Sequence, residues 1–270
     1  IMFLVMNTSS VTLLPVTVMM YRAQQGAANP ADVYLPLLMA TTASTFAGIW
    51  LTARLQGIRL LQPLLLTVAL LWLALLGLGA LVALNLPGDG AARFSAIAGS
   101  AILLLVTGAF IVAALRARLN VYETFIDGAR EGFQMAVKLI PYLVAMLVAI
   151  AMLRACGALD LLLNGIRWLV TLSGIDSRFV DALPVALLKP LSGSGARAMM
   201  IEVMQTHGVD SLAGRMAAVM QGSTETTFYV LAVYFGSCGI VRLRHALWCG
   251  LFADVAGLVT AILASYLFFG

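Results

Sequence analysis

Gln221-Gly222-Ser223-Thr224-Glu225-Thr226-Thr227, set between the apolar runs 216–220 and 228–236, is the stretch on which the reading of this chain turns. The apolar flanks place Glu225 at membrane depth. An acid there costs about 2.5–3.5 kcal/mol on insertion scales and marks an ion or substrate path. Gly222 and its four hydroxyl neighbours allow a helix to unwind, which frees backbone groups to hold a polar solute. The plainer reading is a Glu at a helix start, with Ser223 or Thr224 as N-cap. The two readings are compatible, because a half-helix N-terminus inside a membrane is itself a binding device.

Composition supports the membrane premise. Of 270 residues, 62% are hydrophobic and 10% charged, against roughly 25% charged in a soluble domain. Lipid is the solvent such a surface requires. The net charge of +4 comes from basic residues scattered singly, with no basic stripe, so nucleic acid is not expected as a partner. Cys156, Cys238 and Cys249 form no CxxC pair, and His207 and His245 stand alone. No metal site and no cofactor are expected. Ile1 opens the chain without a basic n-region or a small-residue cleavage site, so no signal peptide is expected and the native start is expected upstream.

Charge-free runs at 1–21, 33–53, 60–88 and 94–115 are long enough to span as helices. A shorter run follows at 139–153, and a last one, 246–270, contains Asp254. Arg54 and Arg59 share a side with Arg116 and Arg118, while Arg22 and Arg93 are offset by Asp32 and Asp89 in the alternate loops. The Arg-rich side is expected to be cytoplasmic, joined by Arg242, Arg244 and His245. Residues 121–138 carry Tyr122, Phe125, Ile126, Ala129 and Phe133 at helical spacing, with Glu123, Asp127, Arg130, Glu131, Gln134 and Lys138 opposite. This predicts an amphipathic interfacial helix feeding the span at 139–153.

Short apolar pieces at 158–172 and 180–191, interrupted by Gly174, Pro184 and Pro190, lead to Ser192-Gly193-Ser194-Gly195. Irregular backbone in lipid survives only inside protein or beside water, so two short helices meeting at this tip predict a re-entrant hairpin. An ordinary extramembrane loop is the alternative. Lys189 and Arg197 flank the tip, and successive N–H groups between two cations form a candidate anion nest.

A second polar cluster, Asn7-Thr8-Ser9-Ser10-Val11-Thr12 with Pro15 beyond it, interrupts the first apolar run. Each cluster precedes an apolar stretch, a loop and a further span, which carries Thr41, Thr42 and Ser44 in one case and Asp254 in the other. Aligning them pairs Ser9 with Thr224 and Thr12 with Thr227. The charge rule gives the two units opposite orientations, the pattern of an inverted repeat with its site at the repeat interface. By the same logic roughly a hundred residues, the counterpart of 121–221, are expected before Ile1.

The segments LPVALLKPLSGSGARAMM (183–200), MQGSTETTFYVLAVYFG (220–236) and LFADVAGL (251–258) resemble the spore maturation protein B family. NTSSVTLLPVTVMMYRAQQGAANPADVYLP (7–36) resembles the C-terminal part of spore maturation protein A. The chain is therefore similar to an A–B fusion, over residues 1–50 and 119–270. Both families fall in the nucleoside-recognition or Gate-domain group, with concentrative nucleoside transporters and the membrane part of ferrous-iron transporters. The resemblance implies a gated repeat built from a re-entrant hairpin and a broken helix. In the nucleoside transporters a Gln-Thr-Glu cluster contacts solute, and Gln221, Thr224 and Glu225 are loosely similar to it. Nucleoside transport does not follow from that likeness.

The expected protein is an all-α, multipass protein of the cell (inner) membrane with inverted Gate-type repeats. It divides into an A-like repeat end (1–59), connecting helices (60–118) and a B-like repeat (119–270). The expected function is a secondary transporter or gated permease for a small polar or anionic solute. Asn7, Thr8, Ser9, Ser10, Ser192, Gly193, Ser194, Gly195, Gln221, Gly222, Ser223, Thr224, Glu225 and Thr226 would bind it, and Glu225 and Asp254 would couple an ion. The partners are the lipid bilayer, that solute or ion, and further copies of the chain. A non-transporting scaffold for cell-envelope or spore-cortex enzymes is the alternative. No catalytic set can be assembled, so an enzyme is not expected.

Overall fold

Long charge-free stretches fold into long helices, and their exposed faces identify their solvent. The computed structural model describes residues 2–58, 60, 62–86, 90–174, 176–237 and 243–270. Arg59, Asp89, Cys238 and Arg242 lie outside the described residues. Among the described residues four helices are long and apolar enough to cross a membrane: α3 (Tyr34–Gln56), the Leu65–Ala83 part of α4 (Pro63–Leu84), α5 (Gly90–Arg116) and α12 (Ala246–Phe269). In α4 and α5 side chains such as Leu71, Leu75, Leu104 and Phe110 stand exposed. Helices apolar all round and unburied belong in lipid. Pro63 starts α4 at a position where its missing N–H costs nothing. Gly57 ends α3 in the left-handed conformation at φ 66°.

The expected span at 1–21 is two helices, α1 (Met2–Thr8) and α2 (Val16–Gln24), separated by an unwound stretch. The second polar cluster behaves alike: α10 (Leu212–Ser223) and α11 (Thr227–Ser237) are parted at Thr224, which is fully extended (φ −145°, ψ 174°). Both breaks begin where hydroxyls turn back on the last helical turn. Thr8 and Ser9 each donate to the Val5 carbonyl at 2.9 and 2.6 Å, and Ser223 donates to Met220 at 2.9 Å. Such bonds compete with helix continuation.

Helices α3 and α12 pack closely on each other through small residues. Ala40, Ser44, Gly48 and Thr52 recur every fourth position on α3, as do Ala253, Gly257, Ala261 and Ser265 on α12, and all are buried. A methyl added at Gly48 would lie 3.2 Å from the Ala253 Cβ, and one at Gly257 3.0 Å from the Ser44 Cβ. As the position on α3 rises its partner on α12 falls, so the helices run antiparallel. Small residues at every fourth position let two backbones approach where no hydrophobic gain drives association.

Residues 121–155 form one continuous helix, α6 (Val121–Ala155), rather than an interfacial helix followed by a separate span. The expected boundary rests on a change of composition. No capping residue stands at the junction, and the backbone continues through Pro141. Next come α7 (Ala158–Leu172), a 3-10 turn at Arg178–Ala182, α8 (Leu183–Leu188) and α9 (Gly193–His207). Helices α8 and α9 pack on one another as a hairpin whose tip is residues 189–192.

The loop charges used for orientation are partly internal. Arg22 and Asp32 are buried and paired at 2.9 Å; Arg22 also reaches Asp210 at 3.0 Å, and Asp32 meets Arg215 at 2.9 Å. Arg22 donates to the Val209 carbonyl and Asp210 accepts from the Ala28 amide, each at 2.9 Å. This cluster ties the loop after α2 to the turn between α9 and α10. Burial pushes the Asp32 carboxyl above its usual range, against the pull of Arg22 and Arg215.

Candidate functional site

The two breaks and the hairpin tip meet. Unwinding at 224–226 frees backbone donors that water cannot reach in lipid, and the neighbouring elements supply acceptors. The Glu225 amide donates to the Thr8 carbonyl at the end of α1, at 2.9 Å. The Phe228 amide donates to the Pro190 carbonyl in the hairpin tip, at 3.1 Å. On the other break, the Ser9 carbonyl accepts from the Thr45 hydroxyl of α3. Gly193 permits the closest approach, since a methyl there would lie 2.7 Å from Thr226 Oγ1.

These elements line an open-mouthed cavity of about 960 Å³. The first break contributes Asn7 and Ser10. The tip and the start of α9 contribute Lys189, Leu191, Ser192, Gly193, Ser194 and Arg197. The second break contributes Gln221, Glu225, Thr226, Tyr229 and Val230. Ser192 caps α9, its Oγ accepting the Gly195 amide at 3.0 Å, which fixes the direction of the tip. Gln221 is buried, and among the described residues its Oε1 has no hydrogen-bond partner.

Of the residues singled out in the sequence, Asn7, Ser10, Ser192, Gly193, Ser194, Gln221, Glu225 and Thr226 line this space. The others support it from behind. Thr8 acts through its carbonyl, and Ser9 packs towards Gly48 of α3. Gly195 supplies the capped amide. Gly222 lies against Leu37, Ser223 is turned to its own helix, and Thr224 packs against Gly257.

The two acids differ sharply. Glu225 is exposed along the cavity, on broken backbone rather than on a helix. Asp254 of α12 is 1% exposed and accepts from the Thr227 hydroxyl at 2.7 Å. Among the described residues its Oδ1 is buried without a hydrogen bond of good geometry. Ser44 and Thr224 pack against Gly257, three residues along α12. The acid held away from water is therefore Asp254. Lys189 and Tyr229 line the cavity too. In the sequence Lys189 is only a flank of the tip, and Tyr229 falls in a run whose apolar character hides its hydroxyl.

Apolar helices around a polar cavity built from interrupted helices define a membrane protein of a transporter-like class. The family model described as "Nucleoside recognition", of the Gate type, matches residues 136–241. Spore maturation protein B of Bacillus subtilis (strain 168) is 41% identical over 167 residues, covering 62% of this chain and 92% of that protein. No solved structure matches. The chain belongs to the spore maturation protein B family.

Proposed function

We propose that this chain is a multipass protein of the cell (inner) membrane and works as a secondary transporter or gated permease for a small polar or anionic solute. The observation that carries this reading is the bond from the Glu225 amide to the Thr8 carbonyl, beside a cavity of about 960 Å³. Two broken helices complete each other there instead of closing a core. Cavities of roughly 300–1,000 Å³ are the size that small-molecule sites occupy.

In this reading α1–α3 and α10–α12 are inverted Gate repeats. The antiparallel crossing of α3 and α12 supports it, because a two-fold axis in the membrane plane reverses corresponding helices. The packing supports it too: α1 touches α12 and α11, and α10 touches α3 and α2, as exchange of the two units requires. Helices α8 and α9 are the re-entrant hairpin. The opening unit, 1–59, is the end of an A-like repeat joined through α4 and α5 to the B-like repeat. The protein is not an enzyme in this account.

The solute lies between the breaks, with Asn7, Ser10, Gln221, Glu225 and Thr226 as polar contacts. Asp254, with Thr227 against it, couples a proton or monovalent cation, and Glu225 offers the cavity-side acid. Reconstituted protein on a solid-supported membrane, challenged with an unlabelled solute panel, tests this. At least one solute should evoke a current or uptake that Glu225→Gln abolishes, while Asp254→Asn separates binding from ion-driven accumulation. Normal flux in Glu225→Gln removes its role, and silence across the panel with folded protein removes the permease.

A further inference from the structure

Among the described residues, one end of the cavity carries positive charge without a paired counter-charge. Lys189 is 5% exposed and lines the cavity. Among the described residues no acceptor lies within hydrogen-bond or ion-pair distance of its ammonium. Glu225 and Asp254 act on it only at longer range, and Arg197 opposes it. Arg197, one turn into α9, is half-buried, and among the described residues its Nε lacks a partner. Between the two cations α9 begins. Ser192 takes the amides of Gly195, at 3.0 Å to its hydroxyl, and Ala196, at 2.9 Å to its carbonyl. Among the described residues the amides of Gly193 and Ser194 meet no backbone acceptor, which leaves them for whatever fills the cavity.

An ammonium removed from water without a partner is costly, and a ligand of opposite charge offsets that cost. A helix start between two cations favours a group with several acceptor oxygens. The volume is far larger than an inorganic ion needs, and Leu191, Tyr229 and Val230 provide a wall with apolar and aromatic character. We propose that the cavity binds an organic anion, with its carboxylate or phosphate held by Lys189, Arg197 and the Gly193–Ser194 amides. Its uncharged body lies toward Tyr229 and Val230. This rests on the permease reading of the same cavity and names the substrate class.

The test uses the full chain in phosphatidylcholine nanodiscs at constant ionic strength. Thermal unfolding is followed with phenyl phosphate, benzoate, neutral benzamide and cationic benzylamine. Phenyl phosphate or benzoate should raise the melting temperature in a saturable way, and the other two should not. Arg197→Gln and Lys189→Gln should each weaken the anion by about tenfold to a hundredfold, whereas Arg197→Lys should retain most of it. If Lys189→Gln does not fold, the Arg197 pair alone decides.

Equal binding of benzamide, no response to either anion, or an undiminished response in Arg197→Gln overturns the proposal. Stabilisation by added phosphatidylglycerol, with none by phenyl phosphate, assigns the site to a lipid headgroup and overturns a soluble solute. Uptake of neutral solutes only, still lost in Glu225→Gln, removes the anion and keeps the permease. Anion binding with no flux of any solute does the reverse.

Discussion

At the residue scale, polar side chains in apolar sequence identify themselves, but the direction in which each faces does not. Glu225 and Asp254 both stand out as acids among apolar neighbours, yet one is exposed along the cavity and the other is 1% exposed. Nothing local decides this, because burial depends on what α3 and the hairpin bring from far along the chain. Lys189 is the sharper case: the sequence marks a cation beside a Ser/Gly tip, and only the fold reveals it as buried. Small residues give the firmest prediction at this scale. A methyl at Gly257 would lie 2.8 Å from Thr224 Cγ2 and 3.0 Å from Ser44 Cβ. Gly257→Ala should therefore lower stability by about 1–3 kcal/mol through overpacking. Adding Thr224→Ala, which deletes the nearer methyl, should restore part of the loss. Thermal unfolding of the two single variants and the double variant checks this. Strict additivity would mean that Gly257 and Thr224 are not in contact.

At the element scale, what the sequence makes legible is where helices fail. Aligning Ser9 with Thr224 falls on the first residue beyond α1 and beyond α10. The second half of that alignment slips: α2 resumes at Val16 and α11 at Thr227, so the first break is longer and Thr12 does not face the role of Thr227. Hydroxyl clusters announce that a helix opens, whereas the point of resumption depends on tertiary acceptors such as Thr8 and Pro190. That α6 runs on past its amphipathic stretch is illegible for a related reason, since composition can change along a helix without a cap. The antiparallel register of α3 and α12 gives a direct measurement. In a chain freed of Cys156, Cys238 and Cys249, Gly48→Cys with Ala253→Cys should oxidise to a disulfide once the Val5 side chain gives way, since a Cβ at Gly48 would lie 3.2 Å from that of Ala253, a few tenths of an ångström inside what the bond spans. Protease fragments cut between α5 and α6 should then stay joined until reduced. Free fragments would overturn the register. At the hairpin, Ser192→Ala should cost about 0.5–2 kcal/mol by uncapping α9, read by thermal unfolding, with Ser192→Asp largely restoring it.

At the scale of the whole molecule, the sequence conveys the solvent plainly and the internal ties poorly. Composition alone calls for lipid, but Arg22 and Asp32 read as opposite charges in a loop, because their partners Asp210 and Arg215 lie far along the chain. Removing Asp32 leaves Arg215 without its carboxylate and the buried Arg22 with Asp210 alone. Asp32→Ala should therefore destabilise the fold by about 3–5 kcal/mol, a larger effect than at the exposed pair of Asp127 and Arg130, 3.8 Å apart. Lipid contact is testable through the four tryptophans, Trp50, Trp72, Trp168 and Trp248. Trp72 lies near the middle of α4, whose outward leucines need hydrocarbon, while Trp248 stands near the start of α12 and is 69% exposed. At 1.5 Å per residue, mid-helix in a spanning segment is the bilayer centre and the first turn is the interface. In single-tryptophan variants, lipids brominated deep in the acyl chain should quench Trp72 most strongly, and lipids brominated near the headgroup should quench Trp248. If both tryptophans responded alike to the two lipids, α4 and α12 would not cross the bilayer and the cavity between the breaks could not open to its two sides.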